Sequence, residues 1–203
     1  TGDLRGFRPS EFSTAPKATN YRTGGGVAID AYIPIVPATK ASHDNALSIS
    51  GELAIGRGTS DMYTALGAAG TSNAPIPAAP GGTAGTYTPN FDAGLGAYKA
   101  DGTFELVKWT SYIVGAEFYP AGVGGRVGLF ANYGHMQSAN AKDLQGVMTS
   151  IPRESEDYYN AGLFVDPTKQ VRIGADFGYY DDHYSDGVSA SNLSLMMSGF
   201  LFF

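Results

Sequence analysis

Apolar residues alternate with small or polar residues along much of this chain, and this pattern restricts its fold more than any other feature. In residues 47–56, every second position from Leu47 to Ile55 is apolar or glycine, and the positions between are small or polar. A period of two belongs to β-strands, because successive side chains point to opposite faces. The pattern predicts strands at 27–36, 47–56, 111–119, 127–134, 160–165, 171–179 and 193–203, and therefore an all-β, antiparallel fold.

The connections between these blocks alternate in length. Residues 120–125 and 166–170 are short, whereas residues 136–156 and 180–191 are longer and polar. Short turns at one end and long loops at the other are typical of outer-membrane β-barrels. The longest connection, 57–108, is predicted to be an external or lumen-folded loop region, with a hairpin centred on Asp101-Gly102 because Asp-Gly favours a tight turn.

Two environments are compatible with alternating strands. A soluble β-sandwich also buries one face of each strand, but its outer face would carry large polar side chains. Here the polar faces are rich in glycine, including Gly128, Gly162 and Gly174, which suits the crowded interior of a barrel better than a water-exposed sheet. No apolar run approaches the ~18 residues of a membrane-spanning helix, but a barrel strand needs only ~9–11 residues.

Aromatic residues near strand ends support lipid on the outside of the barrel, because tyrosine and tryptophan collect at membrane interfaces. The predicted girdle residues are Tyr119, Tyr133, Tyr158, Tyr159, Tyr179 and Tyr180. Trp109 is predicted to be a further interfacial anchor.

The last strand carries the most specific pattern, since alternation continues through Leu201 to the terminal Phe203. With residues 160–182, it resembles the final strands of Gram-negative outer-membrane porins; Gly199 departs from the apolar outer face. The resemblance implies a location in the bacterial outer membrane, in contact with outer-membrane lipid. It also implies that Leu201 and Phe203 form an assembly signal for the barrel-assembly machinery. The resemblance also brings a homotrimer into consideration as the assembly, because porins commonly form trimers.

Seven spanning strands are an odd number, whereas single-chain bacterial barrels have even numbers. Either the hairpin region adds a strand to give a single eight-stranded barrel domain, or the chain is the C-terminal part of a larger barrel of about 16 strands. We favour the second arrangement. It predicts a porin for passive diffusion of ions and small hydrophilic solutes, whereas the alternative is a small eight-stranded barrel with a structural or adhesive role.

The polar faces of the predicted strands give the candidate pore wall, a hydrated surface of mixed charge. Its predicted residues are Asp30, Ser48, Ser50, Glu52, Glu117, Arg126, Asn132, Asn160, Arg172 and Asp176. An ion pair between Arg172 and a carboxylate of a neighbouring strand is the alternative role for that side chain.

Other functions have little support in the sequence. The net charge is -6 and the 13 lysines and arginines are not clustered, which disfavours a nucleic-acid partner. The chain has no cysteine, and its three histidines lie outside nucleophile motifs, so we expect neither an enzyme nor a cofactor. Asp181, Asp182, His183 and Asp186 lack EF-hand spacing, and we interpret them as a solvated external loop without a metal.

Overall fold

The computed structural model describes residues 1–7, 21–40, 42–59, 96–98, 104–144 and 153–203. Within these ranges the chain forms strands and one 3₁₀ turn, Lys142–Leu144. The strands are β1 Gly2–Phe7, β2 Arg22–Val36, β3 Leu47–Arg57, β4 Gly96–Tyr98, β5 Phe104–Leu106, β6 Lys108–Phe118, β7 Val127–Ser138, β8 Arg153–Thr168, β9 Val171–Tyr184 and β10 Ser189–Leu201. No helix in this part of the chain is long and apolar enough to cross a membrane.

Eight of the strands form one antiparallel sheet in the order β1-β2-β3-β6-β7-β8-β9-β10. Each strand pairs with its neighbour along the chain, apart from β4 and β5, which form a separate hairpin between β3 and β6. The predicted turn of that hairpin, Asp101-Gly102, lies outside the described residues. β1 and β10 lie at the two edges, and no register pair joins them within the described ranges. The predicted all-β antiparallel fold is confirmed, and the described sheet is open.

Two predicted boundaries were wrong. No strand was predicted before residue 27, but β1 pairs with the first residues of β2, which brings the strand count of this sheet to eight. The connections 136–156 and 180–191 are also shorter than predicted, because β8 begins at Arg153 and β9 continues to Tyr184. The added residues are polar on both faces, so alternation stops there while backbone pairing continues. Asp181, Asp182 and His183 therefore lie in β9 rather than in a loop.

The strand registers divide the sheet into two faces, because directly paired residues project to the same side. The apolar face carries the expected lipid-facing residues, including Leu53, Val114, Leu129, Ile173 and Leu195, and Leu195 is 74% exposed. The opposite face, called the polar face below, carries Glu52, Asn132 and Asp176. A continuous exposed apolar surface of this kind is stable against lipid rather than water.

A row of tyrosines borders the apolar face near the long-loop end of the sheet, where β3 leads to β6 and β7 leads to β8. Tyr133, Tyr159 and Tyr179 are direct cross-strand neighbours, with ring centroids 5.1 and 6.2 Å apart. Beyond this row the outward residues become polar, as at His135 and Asp157. From Val171 to Tyr179 the strand covers about 26 Å at ~3.3 Å per residue, close to the ~25 Å apolar band of barrels.

Four residues expected at the membrane interface lie instead on the polar face. Tyr119 is one of them, and its ring meets the Phe164 ring of that face at 5.8 Å. Tyr158 and Tyr180 are direct partners there, with ring centroids 4.6 Å apart. Trp109 is on the same face and only 5% exposed. Because side chains alternate along a strand, only one residue of each Tyr-Tyr pair can face outward.

Several buried hydrophobic side chains lie toward the long-loop end of the sheet, among them Leu106, Val107, Trp109 and Tyr184. Asn140 holds this region in place: its side-chain amide donates to the Leu106 carbonyl oxygen at 3.0 Å, and its oxygen accepts from the Lys108 amide at 2.9 Å. The end of the β3–β6 connection is therefore bound to the end of β7.

Candidate pore-lining face

The polar face brings together nine of the ten predicted pore-lining residues. Asp30 is paired directly with Glu52, Ser48 with Glu117, and Asn132 with Asn160. Ser50, Arg172 and Asp176 project from the same face by alternation. Arg126 lies before β7 at the short-turn end and is exposed. The registers establish this shared face; that it lines a pore is still a prediction.

Glycines on the polar face make room for side chains of neighbouring strands. The Phe164 ring lies over Gly128, and the Phe130 ring lies over Gly162, so a Cβ atom at either glycine would collide with an aromatic ring. The polar face is thus partly aromatic.

An amide chain crosses the middle of this face. The Asn132 side-chain nitrogen donates to the Asn160 side-chain oxygen at 3.1 Å, and the Asn160 nitrogen donates to the Phe177 carbonyl oxygen at 3.1 Å. These bonds connect β7, β8 and β9 through polar groups, so the two amides are fixed in orientation on the sheet.

Arg172 forms a bidentate ion pair with Asp166 of β8. The two nitrogen–oxygen distances are 2.7 and 2.9 Å, and the guanidinium carbon lies 3.8 Å from the Phe164 ring centroid. The pairing that the sequence left as an alternative for Arg172 is present. Its positive charge is largely compensated, and the ring restricts its orientation.

A cleft of about 270 Å³ lies beside this pair at the short-turn end, lined by Lys40, His43 and Tyr119 among others. The His43 and Tyr119 rings meet edge to face at 5.0 Å. Burial, followed by a hydrogen bond with Glu117, raises the pKa of the Tyr119 phenol, so this ring stays neutral. The adjoining turn contains Gly122, Gly124 and Gly125, all with positive φ, which glycine adopts at little cost.

A second ionic group lies at the long-loop end and was not predicted from the sequence. Arg153 pairs with Glu156 and with Asp182, whose Oδ1 is 3.1 Å from Nε. The side chains of Arg153 and Glu156 are 8% and 3% exposed. Residues 136–156 were expected to be a loop, and for that reason the sequence did not indicate this group, in which two carboxylates contact one arginine.

The charges on the polar face are unequally compensated. Arg172 and Arg153 are both paired with carboxylates. In the described residues no ion pair involves Asp30, Glu52, Glu117 or Asp176. The face therefore has an acidic excess. The described histidines and carboxylates include no group of three positioned to hold a metal ion.

Comparisons with known proteins identify the architecture. No protein-family model and no curated protein sequence matches the chain. The structure is similar to that of the outer membrane channel DcaP of Acinetobacter baumannii, with a TM-score of 0.57 and 15% sequence identity over 90% of this chain. The match covers 42% of that channel, so the chain spans less than half of its length. The chain thus has the fold of a porin-type outer-membrane β-barrel, of which its open eight-stranded sheet corresponds to a part.

Proposed function

We propose that the chain forms part of the wall of an outer-membrane channel through which ions and small hydrophilic solutes diffuse passively. The observation that carries this proposal is the separation of the two faces. One face is apolar and exposed, and the other holds small residues with carboxylates that have no cation partner in the described ranges. Lipid suits the first face, and water with mobile ions suits the second.

The partners follow from the same arrangement. Outer-membrane lipid would contact the apolar face, and small hydrophilic solutes would pass along the polar face. Leu201 ends β10 on the apolar face and is 67% exposed, and Phe203 follows beyond the strand. We propose these two residues as the signal for the barrel-assembly machinery. For the complete channel, we propose a homotrimer as the assembly.

An eight-stranded structural or adhesive barrel is less well supported. Such a barrel needs its first and last strands to pair, whereas β1 and β10 lie at opposite edges of the described sheet. The similar solved structure is a channel, which fits a role without catalysis.

Conductance in a planar lipid bilayer tests the proposal. The full-length protein should produce steady single-channel steps in KCl without ligand or nucleotide, because a water-filled pore needs neither. A folded, inserted barrel that gives no steps at any voltage would favour the structural or adhesive role.

A further inference from the structure

The two faces of the sheet differ in exposure at the long-loop end, where β3 leads to β6. On the apolar side, Leu4 is 80% exposed, and the direct cross-strand partners Arg57 and Lys108 are exposed as well. On the polar face, Trp109 is paired with Gly56 and is only 5% exposed. The polar face is therefore the covered face at this end of the sheet.

Thr59 shows that the start of the β3–β6 connection provides part of this cover. Gly26 and Gly56 are direct partners on the polar face, and a Cβ atom at Gly56 would collide with the Thr59 hydroxyl. A Cβ atom at Gly26 would lie 3.6 Å from the Thr59 Cγ2 atom. Gly58 turns the chain with a φ of 63°, which glycine adopts at little cost. The chain therefore folds back over the polar face directly after β3, and Thr59 is only 2% exposed.

The far end of the connection lies close to this turn. The Gly58 amide donates to the Val107 carbonyl oxygen at 2.8 Å, and Leu106 and Val107 are 3% and 4% exposed. β5 also contacts β2, although β3 lies between β2 and β6 in the sheet. β5 therefore crosses β3, and the position of Thr59 places this crossing on the polar face. Of the two positions that the sequence leaves open for this connection, external or folded into the lumen, its described ends favour the second.

Asn140 fastens the far end of the connection to the end of β7. Its side-chain nitrogen donates to the Leu106 carbonyl oxygen at 3.0 Å, and its side-chain oxygen accepts from the Lys108 amide at 2.9 Å. These two backbone groups flank Val107, where β5 ends and β6 begins. Asn140 is 4% exposed, and buried backbone groups are strongly disfavoured without a hydrogen-bond partner. Loss of this one side chain would therefore release the end of β5 from β7.

We propose that Asn140 is a positioning residue that holds the ends of the β3–β6 connection over the polar face, where they narrow the long-loop mouth of the channel. The inference rests on the proposed channel function and adds to it a residue that sets the width of the pore. Pore diameter limits which solutes pass. Loss of the Asn140 side chain therefore widens the channel.

Single-channel conductance and solute size together test the role of Asn140 in the full-length protein. In KCl, Asn140→Ala should raise the conductance by about 1.5-fold or more, because a wider pore carries more current. In a liposome-swelling measurement, the variant should speed the entry of raffinose more than that of arabinose, since the larger sugar is more restricted by a constriction. Gln137→Ala is the matched control, because it removes an amide side chain from the outward face at the same end of β7. It should leave both measurements unchanged.

Gly56→Ala tests the same constriction without a change at Asn140. The added methyl group should displace Thr59 from the polar face and also raise the conductance. Thr59→Ala, introduced into the Gly56→Ala variant, removes the colliding hydroxyl and should return the conductance toward the wild-type value. This pair of variants decides the question if Asn140→Ala does not fold.

Several results would overturn the proposal. Unchanged conductance and sugar entry in Asn140→Ala would do so, as would an equal change in the Gln137→Ala control. A Gly56→Ala/Thr59→Ala double variant that departs further from wild type than Gly56→Ala alone would also contradict it. A wild-type barrel that never conducts would contradict the proposed function instead. In that case hydrogen exchange at the Lys108 amide tests the fastening: it should accelerate in Asn140→Ala but not in Gln137→Ala, and equal exchange rates would overturn the proposal.

Discussion

The Phe164 ring lies over Gly128, its direct cross-strand partner on β7. A methyl group at Gly128 would meet the ring, whereas a methyl group at Gly199 on the apolar face would meet no atom within 4 Å. Gly128→Ala should therefore destabilise the barrel by about 1–3 kcal/mol through overpacking. Gly199→Ala should be neutral or slightly stabilising. Urea unfolding in lipid vesicles measures both, and equal effects would contradict the crowding of the polar face.

The ion pair between Arg172 and Asp166 should set the balance of charge at the short-turn end. Asp166→Asn leaves Arg172 uncompensated and should shift the reversal potential toward anions, while Arg172→Gln should shift it toward cations. The double variant should return close to the wild-type value. Both side chains are about one-third exposed, so the pair should add only about 1 kcal/mol to stability. A double variant that stays at the reversal potential of either single variant is inconsistent with this pairing.

The depth of the apolar face is testable by placing a charge on a single strand. Leu129→Arg puts a guanidinium on the apolar face of β7, within the predicted lipid band, and should cost about 2–4 kcal/mol. Gln137→Arg lies on the same face of the same strand but beyond Tyr133, and should cost only about 0–1 kcal/mol. Folding free energies in vesicles provide the comparison. A greater loss of folding free energy for Gln137→Arg than for Leu129→Arg would mean that the predicted lipid band lies at the wrong depth on β7.

Glu117 lies on the polar face, and no described ion pair involves it. The acidic excess predicts a mild cation preference, so Glu117→Lys should move the reversal potential in a KCl gradient toward anions. The shift should decrease at high salt, because screening at ~1 M reduces the reach of a charge to about 3 Å. Glu154→Lys, outside the predicted wall, is a control for overall charge. A wild-type preference for anions would contradict the sign of this prediction.

The sequence was sufficient to predict the strands and their two faces, because a period of two is a local property of β-structure. It was not sufficient where burial depends on distant segments. Trp109 appeared to be an interfacial anchor, but it is covered at the long-loop end, near the connection held by Asn140. The residues adjacent to Trp109 in the sequence do not indicate that it is buried.

The sequence also failed to predict where several strands end, for a different reason. Asp157, Asp181 and His183 face outward beyond the tyrosine row, where polar side chains are tolerated on both faces. Alternation disappears there although the strands continue. The buried group of Arg153, Glu156 and Asp182 was missed for this reason, since its residues fall in segments without a periodic signal.

The central claim is that the polar face is in contact with water and the apolar face with lipid. Because the chain has no cysteine, single substitutions can report this directly. Ser50→Cys and Asn132→Cys lie on the polar face, and their neighbours Gly51→Cys and Ala131→Cys lie on the apolar face. In a planar bilayer, a charged water-soluble thiol reagent should modify the first two variants and change the single-channel current stepwise, while the second two should stay unmodified. Modification of the Gly51 and Ala131 variants, with protection of the Ser50 and Asn132 variants, would contradict the account.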